Sequence, residues 1–333
     1  MTRTVMITGA SAGVGRAVAR AYAERGARLG LIARGAAGLS GAERDCRERG
    51  AADVRAYQVD VADAGAVQQA ADDLVHHAGG LDVWVNDAMV SVFAPVWEIT
   101  AAEFRRVTEV NYLGTVHGTL AALHHMRPRG RGAIVQVGSA LAYRGIPLQS
   151  AYCASKHAIQ GFNDSLRAEL LHDSPGVKLS MVQLPAVNTP QFSWVRTRLP
   201  RHPQPVPPMF APEVAARAVL WAAEHNPREL NVGGPTWQAR VANALFPGLL
   251  DRKLARDGYD SQQTDTPIDP ATWRDNLDRP RDEHTDHGAD GVFPDRARTR
   301  SAALWVSTHK PVLSAAGVLT VALATAGLAR RPR

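Results

Sequence analysis

Residues 4–26, TVMITGASAGVGRAVARAYAERG, contain three patterns in succession. The first residues form a short apolar run with β-branched side chains, which predicts a strand. A glycine-rich segment follows, and then a periodic pattern of small apolar and charged residues that predicts a helix ending at Gly26. The chain therefore opens with a strand, a glycine turn and a helix.

The alternation of strand and helix continues along the chain. Further strands are predicted at residues 27–34, 53–61, 81–87, 132–140, 177–185 and 229–233, and helices at residues 39–49, 64–78, 101–127, 150–173 and 211–226. Alternating elements of this kind form a parallel sheet that is covered on both faces. The predicted fold class is α/β, a doubly wound Rossmann-type parallel sheet with helices on both faces.

The composition changes towards the C-terminus. The α/β domain is predicted over residues 1–234, and residues 235–256 are expected to add one or two packed helices. Residues 257–308 are rich in Asp, Arg, Pro, Thr and His, and predict a polar, irregular linker. Residues 309–333 predict an apolar C-terminal helix with basic flanks, since residues 311–329 carry no charge. Such a helix can span a bilayer, lie on a membrane or dock on the domain, and we favour membrane attachment.

Charge and cysteine content exclude several classes of protein. The net charge is +6 and the pI about 9.7, but the arginines are scattered and form no basic stripe with interleaved aromatics. We therefore expect no nucleic-acid partner. Cys46 and Cys153 are far apart in the sequence and match no disulfide framework or metal site. We expect no signal peptide and a cytoplasmic catalytic domain, because the N-terminus runs directly into a strand.

The glycine turn has the composition of a phosphate-binding loop. Gly9, Gly13 and Gly15 lie between the first strand and the first helix. Glycine allows positive φ and lets a pyrophosphate approach the backbone, and the helix N-terminus offers free N–H groups. The alternative interpretation is a tight loop without a ligand, but the position at the first crossover of a doubly wound pattern favours a dinucleotide.

A tyrosine and a lysine stand four residues apart in the predicted helix 150–173. Tyr152 and Lys156 share one helix face, and Lys156 is one of only four lysines in a chain with 34 arginines. An ammonium beside a phenol favours the phenolate, which lowers the pKa of the tyrosine towards neutrality. The alternative is an ordinary pair of residues on a helix surface. Taken singly, Ser139 could equally be a turn residue and Asn111 a buried polar group.

Together these motifs resemble the short-chain dehydrogenase/reductase family. The resemblance covers residues 3–234. It rests on Thr8-Gly9-x-x-x-Gly13-x-Gly15, Asp60 in VDVAD, Asn86 in VND, Asn111 in VNYLGT, Ser139 in VGSALAY, Tyr152-x-x-x-Lys156, and Pro185 to Thr189 in PAVNT. It implies that the dinucleotide and substrate sites lie together in the α/β domain.

The resemblance implies an oxidoreductase that interconverts an alcohol and a ketone or aldehyde. Tyr152 would be the general acid/base and Lys156 would hold the nicotinamide ribose. Ser139 and Tyr152 would bind the substrate oxygen, and Asn111 would support the lysine through a water. The implied cofactor contacts are Gly9, Ser11, Gly13, Val14, Gly15, Arg34, Asp60, Val61, Asn86, Ala88, Tyr152, Lys156, Pro185, Val187 and Thr189.

The end of the second strand bears on the choice of dinucleotide. A carboxylate there would bind the ribose 2′-hydroxyl of NAD. The sequence has Ala33 followed by Arg34, whose guanidinium matches a 2′-phosphate in charge and geometry. We therefore predict NADP, with NAD as the alternative. Ala12, where many NADP-preferring relatives carry a basic residue, argues mildly the other way.

Two segments depart from the family pattern or vary within it. Asn86-Asp87-Ala88-Met89 stands where the family usually has Asn-Asn-Ala-Gly, and Ala186 stands where it usually has glycine. Residues 190–212 form the variable substrate loop. In that loop Phe192, Trp194 and Phe210 are candidates for an apolar pocket, and Arg196, Arg198 and Arg201 are candidates for an anion site or a solvated face.

The interaction partners follow from the same resemblance. The expected substrate is a small alcohol or carbonyl compound. The helices at residues 101–127 and 150–173 form subunit interfaces in the family, so a homodimer or homotetramer is expected. The alternative function is a non-catalytic nucleotide sensor or a membrane-tethered scaffold with the same fold.

Overall fold

A computed structural model describes residues 2–309, and a seven-stranded parallel sheet forms its centre. The strands of this sheet are β1 (Thr4–Thr8), β2 (Arg28–Ala33), β3 (Asp53–Gln58), β4 (Val83–Asn86), β6 (Gly132–Ser139), β7 (Val177–Leu184) and β11 (Glu229–Asn231). Six short strands pair outside it: β5 (Val92–Phe93) with β8 (Arg196–Thr197), β9 (Arg201–Pro203) with β12 (Gln263–Pro267), and β10 (Met209–Phe210) with β13 (Ala297–Arg298). The seven predicted strands are confirmed.

Helices cover both faces of the sheet. They are α1 (Gly13–Ala23), α2 (Ala36–Glu48), α3 (Ala64–Ala78), α4 (Ala101–Val107), α5 (Gly114–Met126), α6 (Ser150–Asp173), α7 (Pro212–His225), α8 (Gly234–Leu245), α9 (Pro247–Asp257) and α10 (Ala302–Thr308). One apolar core lies between the sheet and α1, α2 and α7, and a second lies between the sheet and α3, α5 and α6. The α/β fold class is confirmed.

The strand order places a crevice at the centre of the sheet. It runs β11-β7-β6-β4-β1-β2-β3, and every neighbouring pair is parallel. The chain winds outward from β1 through β2 to β3, then returns to β4 and winds outward in the other direction. The connections after β1 and β4 therefore leave in opposite directions, and ligands of open α/β sheets bind at such a point.

The predicted long helix at residues 101–127 is divided into three parts. A π-helical segment, Thr108–Leu113, separates α4 from α5 and contains Asn111. The spacing of apolar residues predicted one continuous helix, because a single π-helical turn is too short to be recognised in such a pattern. Single π-turns inside α-helices are frequent at functional sites, since they redirect side chains.

The segment expected to be a free polar linker packs on the domain. Residues 257–309, here called the C-terminal extension, have mostly irregular backbone and contribute β12, β13 and α10. Leu277, Ala289 and Leu304 are its buried apolar anchors. The remaining attachment includes hydrogen bonds, ion pairs and isolated aromatic contacts of Trp273 and Phe293. A search for hydrophobic periodicity does not detect such contacts.

A buried arginine joins the extension to the first helix. The side chain of Arg16 is only 3% exposed, and its Nε lies 3.0 Å from the Asp45 carboxylate on α2. Its Nη2 lies 3.2 Å from the carboxylate of Asp286 in the extension. Beside this pair, the N–H of Gly13 donates to the carbonyl of Gly288 at 3.2 Å. The extension is thus hydrogen-bonded to the glycine turn itself.

The predicted apolar helix at residues 311–329 lies outside the described residues. Within residues 2–309, every helix is too short or too polar to cross a membrane.

The Arg16 contacts predict that replacing Arg16 lowers the free energy of unfolding much more than replacing the exposed Arg47. Arg16→Ala leaves Asp286 without its buried partner, so the free energy of unfolding should fall by about 3 kcal/mol. Arg47 is the control, since its side chain is 52% exposed and pairs with Glu43 at the surface. Arg47→Ala should cost below about 1 kcal/mol. Urea denaturation of the full chain measures both values, and equal losses would contradict the anchoring role.

Candidate active site

One large cleft lies at the carboxyl ends of the central strands. Its volume is about 440 Å³. Its walls come from the glycine turn, from the segments after β2, β3, β4, β6 and β7, from α6, and from the C-terminal extension. The predicted residues that line it are Gly9, Ser11, Gly13, Val14, Arg34, Asp60, Val61, Ala88, Ser139, Tyr152, Lys156, Pro185, Val187 and Thr189. Most of the predicted site is therefore gathered in one cavity.

The glycine turn is shaped by positive φ and close packing. Gly9 has φ +70°, and a Cβ there would lie 2.8 Å from the Cα of Ala88. Gly13 has φ +57°. Gly15 does not line the cleft; a Cβ there would collide with the carbonyl of Gly9 and lie 2.9 Å from the Asp87 carboxylate. Gly9 and Gly15 let the turn lie directly against the loop after β4, whereas Gly13 lies against Thr189 after β7.

Ser139, Tyr152 and Lys156 converge at the other end of the cleft. Ser139 ends β6, and its Oγ accepts a hydrogen bond from the N–H of Leu141 at 3.1 Å. Tyr152 and Lys156 lie one turn apart near the start of α6, and the Lys156 Nζ is 5.5 Å from the centre of the tyrosine ring. The Lys156 Nζ donates to the carbonyl of Val137 at 2.8 Å. The side chains of the predicted pair therefore point into one site.

The pKa of Tyr152 differs from the expectation for a tyrosine beside an ammonium. Burial raises this pKa above its usual value, the hydroxyl of Ser139 lowers it, and the nearby Asp87 raises it further. Desolvation penalises the phenolate more than the neighbouring groups stabilise it. Burial thus favours the neutral phenol of Tyr152.

Two predicted asparagines lie beneath the cleft. The amide of Asn86 accepts from the indole of Trp84 at 2.7 Å and donates to Gln136 at 2.9 Å. The amide of Asn111 is held at both ends by the backbone of Val90, at 2.8 and 3.0 Å. Neither residue lines the cleft. Asn86 joins β4 to β6 and α5, and Asn111 fixes the loop after β4. A cofactor contact of Asn86 and a proton-relay role of Asn111 stay predictions.

Asp87 places a carboxylate where the family usually has an amide. It lines the cleft and accepts a hydrogen bond from the N–H of Gly15. Burial raises the pKa of Asp87 to about 7, and Lys156 partly offsets this rise. Burial likewise lowers the pKa of Lys156 to about 8, and Asp87 raises it in turn. The two groups therefore share one poorly hydrated environment beside Tyr152.

Arg34, predicted to meet a 2′-phosphate, is already engaged by the extension. Its guanidinium donates to the carbonyls of Asn276 at 2.5 Å, Leu277 at 3.1 Å and Asp278 at 3.4 Å. Nearby, Asp60 forms an ion pair with Arg106, and its carboxylate accepts the N–H of Ala62 at 3.0 Å. These contacts cover the outer end of the cleft after β2 and β3.

The substrate loop supplies an apolar wall and paired arginines. Phe192 and Trp194 line the cleft, but Phe210 is buried and lies outside the lining. All three candidate arginines are in ion pairs: Arg196 with Glu103, Asp275 and Asp278, Arg198 with Glu103, and Arg201 with Asp260 and Asp265. They are therefore structural, and the cleft wall built by this loop is apolar.

Sequence reasoning missed the part of the wall that the extension supplies. Asn276, Pro280, Arg281 and Asp282 line the cleft although they lie more than 60 residues beyond the substrate loop. No motif marks them, because their backbone is irregular. The only local signal is a cluster of charged residues, which the sequence analysis interpreted as a solvated linker.

Comparison with known proteins agrees with this geometry. Residues 3–199 match the family model of the short chain dehydrogenases. The chain belongs to that family. It is an oxidoreductase acting on CH–OH groups, as its dehydrogenase relatives and structural neighbours indicate.

The short-chain dehydrogenase has relatives in bacteria and animals. The uncharacterized oxidoreductase YxnA of Bacillus subtilis is 32% identical over 323 residues, which are 95% of this chain and 88% of that protein. Dehydrogenase/reductase SDR family member 7 of Homo sapiens is 36% identical over 54% of this chain and 53% of its own length. Because the Bacillus match covers 95% of this chain, it includes at least part of the C-terminal extension.

Two solved structures share the fold. A short-chain dehydrogenase from Streptomyces avermitilis superposes with a TM-score of 0.64 and 26% identity, covering 78% of this chain and 97% of its own. The alcohol dehydrogenase of the archaeon Thermococcus sibiricus, complexed with 5-hydroxy-NADP, gives a TM-score of 0.61 and 28% identity. It covers 69% of this chain and 96% of its own length.

The raised pKa of Asp87 predicts a pH-dependent stability difference. An unfolded aspartate loses its proton near pH 4, whereas folded Asp87 keeps it until about pH 7. Wild-type stability should therefore lose a contribution as the pH rises from 4 to 7, and Asp87→Asn should not show this loss. The free energy of unfolding of the variant minus that of wild type should rise by about 3 kcal/mol over this range. Denaturant titrations at each pH measure it, and a constant difference would refute the buried carboxyl.

Proposed function

We propose that this dehydrogenase transfers a hydride between a nicotinamide dinucleotide and a small, largely apolar alcohol or carbonyl compound, with Tyr152 as general acid/base. The observation that carries the proposal is the convergence of Ser139, Tyr152 and buried Lys156 at one end of a cleft whose other end is the glycine turn. A dinucleotide laid along the cleft would reach both ends.

The cleft suits a dinucleotide for reasons of shape. Gly9 and Gly13 adopt positive φ and have no side chain to fill the turn. Val14 lines the cleft in the first turn of α1, where free N–H groups favour phosphate. Pro185, Val187 and Thr189 follow β7 and would meet the nicotinamide end. When bound, the nicotinamide ring supplies or accepts the hydride.

The chain's own residues would handle the proton. The hydroxyl of Tyr152 would donate to the carbonyl oxygen during reduction and remove the alcohol proton during oxidation. Ser139 would orient the same oxygen. The ammonium of Lys156 and the positive charge of an oxidised nicotinamide both favour the phenolate, so a bound dinucleotide offsets the desolvation that raises the pKa of Tyr152.

The substrate class follows from the cleft wall. Phe192, Trp194 and residues 205–208 present mainly apolar surface, and the arginines of the substrate loop are held in ion pairs. An anionic substrate would find no free guanidinium there among the described residues. An uncharged ketone, aldehyde or alcohol fits this wall.

The proposed cofactor is a nicotinamide dinucleotide. NAD and NADP differ in the 2′-phosphate of the adenosine ribose, so the groups at the end of β2 decide between them. The sequence predicts NADP through Arg34, and the Thermococcus sibiricus relative is complexed with 5-hydroxy-NADP. The guanidinium of Arg34, however, already donates to three carbonyls of the extension, which disfavours its use for a 2′-phosphate.

A homodimer or homotetramer is proposed on α5 and α6. Leu120 on α5 is 57% exposed and Leu171 on α6 is 70% exposed, and exposed leucines on neighbouring helices favour association. Leu120→Asp should shift the molar mass in light scattering towards the monomer. Leu249→Asp is the control, because Leu249 is equally exposed on α9, and its mass should match wild type. A monomeric wild type would remove this proposal.

Tyr152→Phe tests the catalytic assignment. Removing the hydroxyl deletes the proton donor but keeps the ring, so kcat should fall by about 10²–10⁴-fold while dinucleotide affinity stays within about threefold. Tyr57→Phe is the matched control; Tyr57 lies on β3, outside the cleft lining, and donates to Asp73. Dinucleotide consumption and titration calorimetry give the two readouts. Unchanged turnover in Tyr152→Phe would refute the assignment.

A further inference from the structure

The side chain of Asp282 faces the end of the cleft that lies beside the glycine turn and β2. Asp282 belongs to the C-terminal extension, lines the cleft together with Ala33 and Arg34, and is only 7% exposed. Among residues 2–309, no group donates a hydrogen bond to its carboxylate. The carboxylate therefore keeps its acceptor capacity for a ligand that donates.

The position of Asp282 is fixed by the start of α2. Its carbonyl accepts the N–H of Gly38 at 2.9 Å, and the carbonyl of Glu283 accepts the N–H of Ala37 at 3.2 Å. The carboxylate lies against Gly35 and Gly38, and a Cβ at either glycine would overlap it. Two glycines therefore leave the space that this one side chain occupies.

This location corresponds to a known chemical requirement. A carboxylate at the carboxyl end of the second strand accepts a hydrogen bond from the ribose 2′-hydroxyl of NAD. In this chain β2 ends at Ala33 and has no such group. Asp282 reaches the same end of β2 from a segment about 250 residues later in the chain, and so supplies the carboxylate that the strand lacks.

The groups that would hold a 2′-phosphate are already occupied. The N–H of Ala36 at the start of α2 donates to the Glu283 carboxylate at 3.2 Å. The guanidinium of Arg34 donates to three extension carbonyls. A phosphate at this place would meet the negative charges of Asp282 and Glu283 at short range, which is unfavourable at low dielectric.

A second arginine lines this end of the cleft besides Arg34, whose charge acts directly on Asp282. Arg281 precedes Asp282 and is exposed to solvent. Solvent and salt screen an exposed guanidinium much more than a buried carboxylate. The buried group therefore dominates the local preference, and Arg281 is free to meet the pyrophosphate shared by both dinucleotides.

We propose that Asp282 accepts a hydrogen bond from the adenosine ribose 2′-hydroxyl and makes this dehydrogenase prefer NAD over NADP. The inference rests on the proposed dinucleotide-dependent function. It reverses the preference predicted from Arg34. The Thermococcus sibiricus dehydrogenase, complexed with 5-hydroxy-NADP, matches only 69% of this chain with 96% of its own residues. Its few unmatched residues are too short for an extension like this one, so its ligand does not bear on the role of Asp282.

Titration calorimetry of the full chain with NAD and with NADP tests the proposal without relying on turnover. Wild type should bind NAD at least tenfold more tightly than NADP. Asp282→Asn removes the charged acceptor, so NAD affinity should fall by about tenfold and NADP affinity should rise or stay unchanged. Asp290→Asn is the matched control, being the same change at an exposed carboxylate of the same segment, and should retain the wild-type ratio. Circular dichroism verifies folding of both variants.

Each outcome has one meaning. Tighter binding of NADP by wild type, or a ratio unchanged in a folded Asp282→Asn variant, would overturn the role of Asp282 and leave the proposed function intact. If Asp282→Asn does not fold, the wild-type ratio alone decides between the two dinucleotides. Binding of neither dinucleotide by wild type would overturn the proposed function and this inference together.

Discussion

The site depends on keeping the charged amine of Lys156 out of water. This side chain is 4% exposed, and its described hydrogen bond goes to the carbonyl of Val137. Burying an ammonium is costly unless negative or polar groups compensate. Asp87, with Val137 at the end of β6, supplies that compensation, and the same desolvation acts on the neighbouring Tyr152. Burial of the Lys156 ammonium therefore costs free energy, which its polar neighbours offset only in part.

The glycine turn makes this enclosure possible. Because Gly15 has no side chain, α1 can begin directly over Gly9 and Asp87, which brings the first helix against the loop after β4. That loop places Asp87 near Lys156. The glycines that resemble a phosphate-binding motif therefore also position a carboxylate beside Lys156 and Tyr152.

The sequence predicted the doubly wound sheet, and most of the predicted site residues line the cleft, since strand alternation and the family motifs are local patterns. It failed where distant segments meet. Arg34 looked free because its acceptors, the carbonyls of residues 276–278, are backbone groups that any sequence would offer. The π-helical segment at Asn111 was invisible because it changes the helix geometry without changing its apolar face. Asp282 carried no signal, since a carboxylate in an irregular acidic segment ordinarily faces solvent. The pKa of Tyr152 was predicted from charge alone, and desolvation outweighs charge in this site.

The C-terminal extension changes how the molecule is understood. It is joined to α1 through Arg16 and to the glycine turn through Gly13, and it forms one wall of the cleft. Under the proposed function, variation in this segment would alter cofactor recognition while leaving Ser139, Tyr152 and Lys156 unchanged.

The most direct measurement is the absorbance of NADH and NADPH during incubation of the full chain with a panel of uncharged aldehydes and ketones. The account predicts that absorbance falls only when a carbonyl compound is present, and that the corresponding alcohol reverses the change with the oxidised dinucleotide. A chain that binds dinucleotide in the cleft but consumes none with any carbonyl or alcohol would contradict the assignment of this site as a hydride-transfer centre.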